Sequence, residues 1–285
     1  MVRRAVYTAL IGGYEALVEQ PLAAGSDADF ICFTDDPDLT SQTWQIRQVD
    51  ALLPLDPVRS ARWLKIEGHP DLAAYDETLW IDARILLRKD PAAILDDWLA
   101  NDDFALPLHS FRDSVVAEFE VILQLGMDDS SRLYEQLTHY TSVGPERLAS
   151  PVLWTALLAR RHTEPVARAM REWIVHVLRY SRRDQLSVVE ALGRAGLKPR
   201  LVTLDNHESD LHEWVPARGR DPRLPIFTVS ASLQPPVAAI GELQQRLVEA
   251  RADAAKLRRE NAALRREAAE PPVVPRRWFT RARRD

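Results

Sequence analysis

The chain has 285 residues, of which 46% are hydrophobic and 28% charged, as is usual for a globular protein with one sizeable apolar core. Its net charge of -5 is divided unevenly. Residues 237–285 hold 12 Lys/Arg and 7 Asp/Glu, whereas the rest of the chain holds 25 Lys/Arg and 35 Asp/Glu. An acidic body repels a polyanion, so we expect no nucleic-acid partner.

The cysteine content and the apolar runs indicate the compartment. Cys32 is the one cysteine of the chain, so an intrachain disulfide is impossible. Gly12, Gly13 and Glu15 interrupt the N-terminal apolar run before it could form a secretory signal. No run approaches the roughly 20 apolar residues that a membrane helix needs. These features predict a cytoplasmic protein.

Apolar runs and amphipathic periods predict alternating strands and helices. The strands are predicted over residues 3–11, 29–34, 44–49, 78–82, 104–109 and 200–204, with 151–159 as a strand or a buried connector. The helices are predicted over residues 58–68, 90–99, 114–125, 130–140, 163–179 and 184–195. This alternation predicts an α/β sandwich around a mostly parallel central sheet. Ligands of such sheets bind beyond the carboxyl ends of the strands.

Composition divides the chain into a body and a C-terminal extension. We predict a folded domain over residues 1–210, a proline-rich linker over 211–236, a coiled coil over 237–268 and a basic disordered tail over 269–285.

A heptad pattern predicts the coiled coil. Its a and d positions are Ile240, Leu243, Leu247, Ala250, Ala254, Leu257, Asn261 and Leu264. A buried asparagine at an a position is typical of a parallel dimer, so we predict a homodimer through residues 240–264. The alternative is a single amphipathic helix that packs on the body.

The tail carries arginines together with Trp278 and Phe279. We favour a solvated, disordered segment for this tail. The alternative is a peripheral membrane contact through residues 276–284, at the inner membrane face, because arginine beside an interfacial aromatic residue is suited to anionic lipid.

Several polar residues follow predicted strands or open helices. Asp82 ends a buried strand, where a metal or ribose ligand is expected, although a turn or cap residue is also common there. Asp184 and Gln185 open a helix, and Asp184 either caps it or faces a substrate. His109 follows another strand.

Two further groups suggest ligand binding. The first is a cationic stripe that could bind a diphosphate or simply be a solvated helix face. It consists of Arg59, Arg62, Lys65 and His69. The second has metal-ligand residue types in a polar loop, where solvated residues are also common. It consists of Asp205, His207, Glu208, Asp210 and His212.

Short motifs in a fixed order resemble a known family. They are the stretch VYTALIGGYE at 6–15, FTD at 33–35, Arg62 through Lys65 to His69, LWIDA at 79–83, His109 with Arg112 and Glu118, and RDQLS at 183–187. The sequence resembles a bacterial and plant family of glycosyltransferase-like proteins of the GT-A type. Its members are linked to polysaccharide synthesis, and one plant member is described as a ceramidase.

The resemblance implies a GT-A-like, Rossmann-type fold and assigns roles to individual residues. Thr8 and Asp35 would lie near the nucleoside, and Asp82 would replace the metal-binding acid motif of GT-A enzymes. Arg84 stands where a second aspartate would complete that motif. A metal would then be held by Asp82 alone or with His207.

Alternatively, Arg84 and the cationic stripe, including Arg62 and Lys65, would replace the metal. The resemblance also implies that Asp184, Gln185 and His109 serve as catalytic or donor-sugar contacts.

The resulting expectation is a glycosyltransferase of the hexosyltransferase type. It would use a UDP- or GDP-type sugar, with Mn²⁺ or Mg²⁺ as a candidate cofactor, and a glycan or lipid-linked acceptor. One alternative is a catalytically inactive scaffold that acts through its coiled coil. A lipid amide hydrolase is disfavoured because the sequence contains no Gly-x-Ser-x-Gly or His-Glu-x-x-His motif.

Overall fold

The computed structural model describes residues 2–13, 15–215 and 236–269. It divides the chain into two units, Met1–Ala238 and Ala239–Asp285. The described residues include no helix that is both long and apolar enough to cross a bilayer. Most of the predicted linker and nearly all of the predicted tail, including residues 276–284, lie outside the described residues.

The first unit alternates strands and helices along most of its length. Its strands are β1 (Arg4–Leu10), β2 (Asp29–Thr34), β3 (Gln45–Gln48), β4 (Glu77–Ile81), β5 (Ile85–Leu87), β6 (Phe104–Pro107), β7 (Leu157–Arg161), β8 (Arg200–Val202) and β9 (His212–Trp214). Its helices are α1 (Pro57–Ile66), α2 (Pro91–Trp98), α3 (Val115–Gln124), α4 (Ser130–Val143), α5 (Pro145–Leu148), α6 (Glu164–Arg179) and α7 (Gln185–Ala195).

The central sheet has seven strands in the order β3-β2-β1-β4-β7-β6-β8. Its pairings are parallel except those of β7, which runs antiparallel to both β4 and β6. All residues of β4 are buried, as expected for a strand covered on both faces. The predicted α/β fold with a mostly parallel sheet is therefore confirmed.

Alternate residues of β1 face two different core layers. Tyr7 and Ala9 pack with α1, α6 and α7 on one face of the sheet, whereas Val6 and Leu10 pack with α2 on the other. This alternation follows from the two-residue period of a strand. A third apolar cluster joins α3 and α4 to Leu186, at the start of α7.

The second sheet consists of two short strands that the sequence did not reveal. β5 and β9 pair antiparallel, with Leu87 opposite His212. The predicted boundary at residue 210 is therefore too early, because β9 belongs to the folded body. Three-residue strands carry too few residues to show a hydrophobic period, and this explains why both were missed.

The described residues of the second unit all belong to one long helix, α8, which spans Pro236–Ala269. Leu247 and Leu257, which the heptad pattern places on the seam, are 49% and 62% exposed in the single chain. The predicted coiled-coil pairing remains a prediction.

Candidate functional site

A cavity of about 290 Å³ lies where β1 and β4 end and α7 begins. Its lining is rich in charge and in indole rings. The charged lining residues are Glu15, Arg62, Asp82, Arg84, Arg182, Arg183 and Asp184, and the indoles belong to Trp80, Trp154 and Trp214. The cavity occupies the edge of the sheet at which ligands of open α/β folds bind.

Asp82 reaches this cavity because it directly follows β4. Its backbone N–H donates to the carbonyl of Ala156, at 2.9 Å. The indole Nε1–H of Trp80 donates to Asp82 Oδ1 at 2.9 Å, which fixes the rotation of the carboxylate. The side chain remains 30% exposed. Asp82 is thus a fixed carboxylate that a ligand can contact.

Lys65, in the last turn of α1, extends its fully buried side chain to the same place. Its Nζ lies 2.6 Å from Asp184 Oδ2 and 3.5 Å from Asp82 Oδ1. Lys65 Nζ also donates to Thr155 Oγ1 at 3.1 Å, and that hydroxyl donates to Asp184 Oδ2 at 3.1 Å. The lysine therefore links two acids that are far apart in sequence.

Asp184 is the most constrained acid of the cavity. Burial opposes its ionisation, but the positive charges of Arg62 and Lys65 outweigh burial and hold its pKa well below the ordinary value. Arg62 Nε lies 3.3 Å from Oδ1, so both carboxylate oxygens have cationic partners. An aspartate of this kind positions the cations and is a poor proton acceptor near neutral pH.

Arg84 and Arg183 bring two further positive charges to the cavity lining. Arg84 Nε and Nη2 donate to the carbonyl of Val215 at 3.0 and 2.8 Å, and its guanidinium lies 5.3 Å from the ring centre of Trp214. The buried Nε of Arg183 has no hydrogen-bond partner among the described residues. Among the residues that the structure describes, neither Arg84 nor Arg183 forms a salt bridge. The cavity can therefore accept an anion.

The predicted cationic stripe does not act as one surface. Arg59 donates to two backbone carbonyls at the end of α6, at 2.9 and 2.6 Å. Arg62 and Lys65 both contact Asp184. His69 packs against an aromatic ring of β2, with ring centres 4.7 Å apart. Tertiary contacts thus separate residues that share one helical face in the sequence.

Thr8 and Asp35 lie outside the cavity lining. Thr8 is fully buried within β1, so its side chain is not accessible to a nucleoside in this conformation. Asp35 is exposed, and its Oδ1 accepts the backbone N–H of Gly12 at 2.9 Å. Gly12 has a φ of 75°, and a Cβ there would lie 2.7 Å from Pro57. Asp35 therefore stabilises a turn that requires glycine.

The two predicted histidines also lie outside the lining. His109 Nδ1 accepts the N–H of Phe111 at 3.0 Å. Burial, together with the charges of Arg112 and Arg183, lowers the pKa of His109 to about 4, so the ring is neutral at neutral pH. His207 is exposed and stacks on Trp214, with ring centres 5.7 Å apart.

Gln185 lines the cavity as the first residue of α7. Its Nε2 donates to Glu118 Oε1 at 3.3 Å, and Arg112 Nε lies 3.2 Å from Glu118 Oε2. Burial raises the pKa of Glu118, against the lowering effect of Arg183 and Arg112. The side chain of Gln185 is therefore oriented by a buried carboxyl.

The donor set does not fit a divalent cation held by the protein. No group of three His, Cys, Asp or Glu residues suited to a metal occurs among the described residues. Asp82 Oδ1 already accepts an indole N–H, and the ammonium of Lys65 lies 3.5 Å from it. A cation bound at Asp82 would be repelled by the fixed positive charge of Lys65. His207, the predicted second ligand, is not a lining residue of the cavity.

Sequence reasoning assigned no site role to Thr155, Trp154 or Trp214. Thr155 enters the site because β7 is antiparallel, so its amino end lies beside the carboxyl end of β4. Trp214 enters through the pairing of β9 with β5. Both depend on long-range strand pairing, which no local pattern indicates.

The comparisons with known proteins agree with the family resemblance. Residues 34–203 match the family model described as TOD1/MUCI70, glycosyltransferase-like domain. The chain matches no curated protein. Among solved structures it is similar to core-mannan synthase A (CmsA/Ktr4) from Aspergillus fumigatus in its Mn/GDP form, with a TM-score of 0.44 and 10% identity over 76% of this chain and 75% of that one. At that similarity no ligand or residue role carries over.

Proposed function

The chain belongs to the TOD1/MUCI70 glycosyltransferase-like family, and from this premise we propose that it transfers a sugar from a UDP- or GDP-type donor to a glycan or lipid-linked acceptor. The observation that carries the proposal is the pair of guanidinium groups, Arg84 and Arg183, that form no salt bridge among the described residues and line the same cavity as the partly exposed Asp82.

We assign the donor diphosphate to Arg84 and Arg183. Guanidinium groups bind phosphate oxygens through paired, charge-assisted hydrogen bonds. Arg84 is already held by the carbonyl of Val215, which reduces the entropy lost on binding. Transfer forms a bond between the anomeric carbon and an acceptor hydroxyl oxygen, whose proton is released to solvent. It breaks the bond between that carbon and the phosphate oxygen, so the nucleoside diphosphate leaves with the bonding electrons. Fixed cations stabilise that developing charge.

Asp82 is assigned to contact the donor sugar, because it is the partly exposed carboxylate fixed at the end of β4. Asp184 is a positioning residue, since its oxygens hold Arg62 and Lys65. This assignment differs from the catalytic role predicted for Asp184 from the resemblance.

Thermal unfolding with nucleotides tests the proposal. We expect UDP or GDP to raise the Tm of the full chain by mass action. Arg183→Ala and Arg84→Ala should each lower the affinity for that nucleotide about 10- to 100-fold, the effect of losing a charge-assisted hydrogen bond. Arg88→Ala is the matched control, because this exposed arginine pairs with Glu208 and Glu213 outside the cavity lining.

The same measurements distinguish an active glycosyltransferase from a catalytically inactive scaffold. No Tm shift with any nucleotide or nucleotide sugar would contradict the donor site. A shift without turnover, over a panel of donors and acceptors, would support the inactive scaffold instead.

A further inference from the structure

Three aromatic rings form a continuous row that starts at the cavity. Trp214 lines the cavity, His207 stacks on it with ring centres 5.7 Å apart and planes 20° apart, and Phe111 lies 4.7 Å beyond His207. Phe111 is 46% exposed, and it belongs to none of the apolar core clusters. We call Trp214, His207 and Phe111 the aromatic row.

Hydrogen bonds between two loops hold the aromatic row in place. The buried Asn206 accepts the N–H of Ser110 at 2.7 Å through Oδ1 and donates to the carbonyl of Leu108 at 3.0 Å through Nδ2. The N–H of Trp214 donates to the carbonyl of His207 at 2.7 Å. The backbones of the loops that carry the three rings are thus tied together, which sets the positions from which the rings project.

The composition of the aromatic row suits a carbohydrate. A pyranose ring has an apolar C–H face that packs on an aromatic ring and hydroxyl groups that need polar neighbours. The exposed Asp205 and Glu208 flank His207 in sequence. Asp205 Oδ1 accepts the N–H of His207 and Glu208 Oε1 pairs with Arg88, so the second oxygen of each carboxylate can accept a sugar hydroxyl. A lipid chain would need a broader contiguous apolar surface. The only exposed apolar side chain of the row is that of Phe111.

We propose that the aromatic row is the acceptor subsite and that it binds the sugar rings of a glycan. This inference rests on the proposed function, because it places the acceptor beside the donor cavity. The row is continuous with the cavity through Trp214, so a glycan lying on it presents one end toward the reacting sugar. The proposal selects a glycan from the two acceptor classes, glycan and lipid-linked.

Electrophoresis in gels that contain a polysaccharide tests the subsite on the full chain. The probes are dextran, yeast mannan, arabinogalactan, xylan and polygalacturonate, each in a separate gel. We expect at least one of them to retard the wild-type protein. Phe111→Ala should weaken the apparent affinity about five- to tenfold, because one ring contact is lost. Phe111→Tyr keeps the ring and should retain the retardation.

Tyr134→Ala is the matched control, since Tyr134 is 58% exposed on α4 and lies outside the aromatic row. Equal retardation of the Phe111→Ala and wild-type proteins, or no retardation of the wild type by any probe, would overturn the inference. The nucleotide-induced Tm shift should be unchanged in Phe111→Ala. If nucleotides gave no Tm shift in the wild type, that result would count against the donor site instead. Failure of the acceptor subsite and failure of the donor site are therefore distinguishable.

Discussion

The ammonium of Lys65 lies 2.6 Å from the carboxylate of Asp184, and both side chains are buried. This pair joins the last turn of α1 to the start of α7. A buried charge is costly unless it is paired and hydrogen-bonded. The pair and its bridging hydroxyl, that of Thr155, therefore determine how the two helices meet at the cavity.

Lys65→Met should lower the free energy of unfolding by about 3–5 kcal/mol, because it leaves the carboxylate of Asp184 buried with one cationic partner fewer. Adding Asp184→Asn should recover part of that loss. Urea denaturation of the two variants measures both effects. Arg132→Met, which breaks an exposed pair with Glu135, is the control and should cost less than about 1 kcal/mol. A similarly small loss for Lys65→Met would refute the buried pair as a stabilising link.

Nucleotide binding should persist when divalent cations are removed. The diphosphate is assigned to Arg84 and Arg183, and the acid set around Asp82 does not fit a metal ion. We expect the Tm shift with UDP or GDP to change little between EDTA and Mn²⁺. If the shift required Mn²⁺ and vanished in Asp82→Ala, a metal at Asp82 would be established instead.

Asp82→Asn should lower the rate of sugar transfer at least about 100-fold, the usual effect of neutralising a carboxylate that acts on the reacting group. The affinity for the nucleoside diphosphate should fall much less, since the arginines remain. Comparing kcat with the Kd of the nucleotide separates these effects. Equal losses in both would mean that Asp82 binds the diphosphate rather than contacting the sugar.

Stability should fall as the pH drops from about 6.5 toward 4. Burial lowers the pKa of His109, His162 and His176 to about 4 in the folded chain, below the ordinary value of 6.5. Between pH 4 and 6.5 the unfolded chain binds more protons than the folded chain, so acid favours unfolding. Above pH 6.5 the three histidines are neutral in both states, and they no longer destabilise the fold.

Replacement of His176 tests this directly. Its Nδ1 contacts the hydroxyl of Tyr140 at 2.6 Å within a buried cluster. His176→Gln should reduce the slope of unfolding free energy against pH between 4 and 6.5. An unchanged slope would show that this histidine titrates alike in both states.

The full chain should be a dimer that depends on α8. Leu247 and Leu257 fall on the predicted seam, whereas Val248, which is 66% exposed, lies beside it. Leu247→Asp with Leu257→Asp should halve the mass measured by light scattering. Val248→Asp is the control and should leave the dimer intact. A monomeric wild type would instead favour a single amphipathic helix.

Much of the fold could be predicted from local patterns. β1, β2 and β4 are apolar runs, and α6 carries Val166, Met170, Trp173 and Val177 on one buried face, as a 3.6-residue period requires. Asp82 and Asp184 were identified because they follow a strand and open a helix. Such signals lie within a few residues of one another.

The sequence by itself determined the alternation of strands and helices, the family and the residue types available at the carboxyl edge of the sheet. Only the tertiary structure decided which of them meet. The antiparallel entry of β7 brings Thr155 to Lys65, and the pairing of β9 with β5 brings Trp214 to Arg84. The packing of α1 against the start of α7 commits Asp184 to ion pairs with Arg62 and Lys65, whereas Arg183 forms none among the described residues. Propensity and periodicity act over a few residues, whereas charge neutralisation and burial depend on partners that only long-range packing supplies.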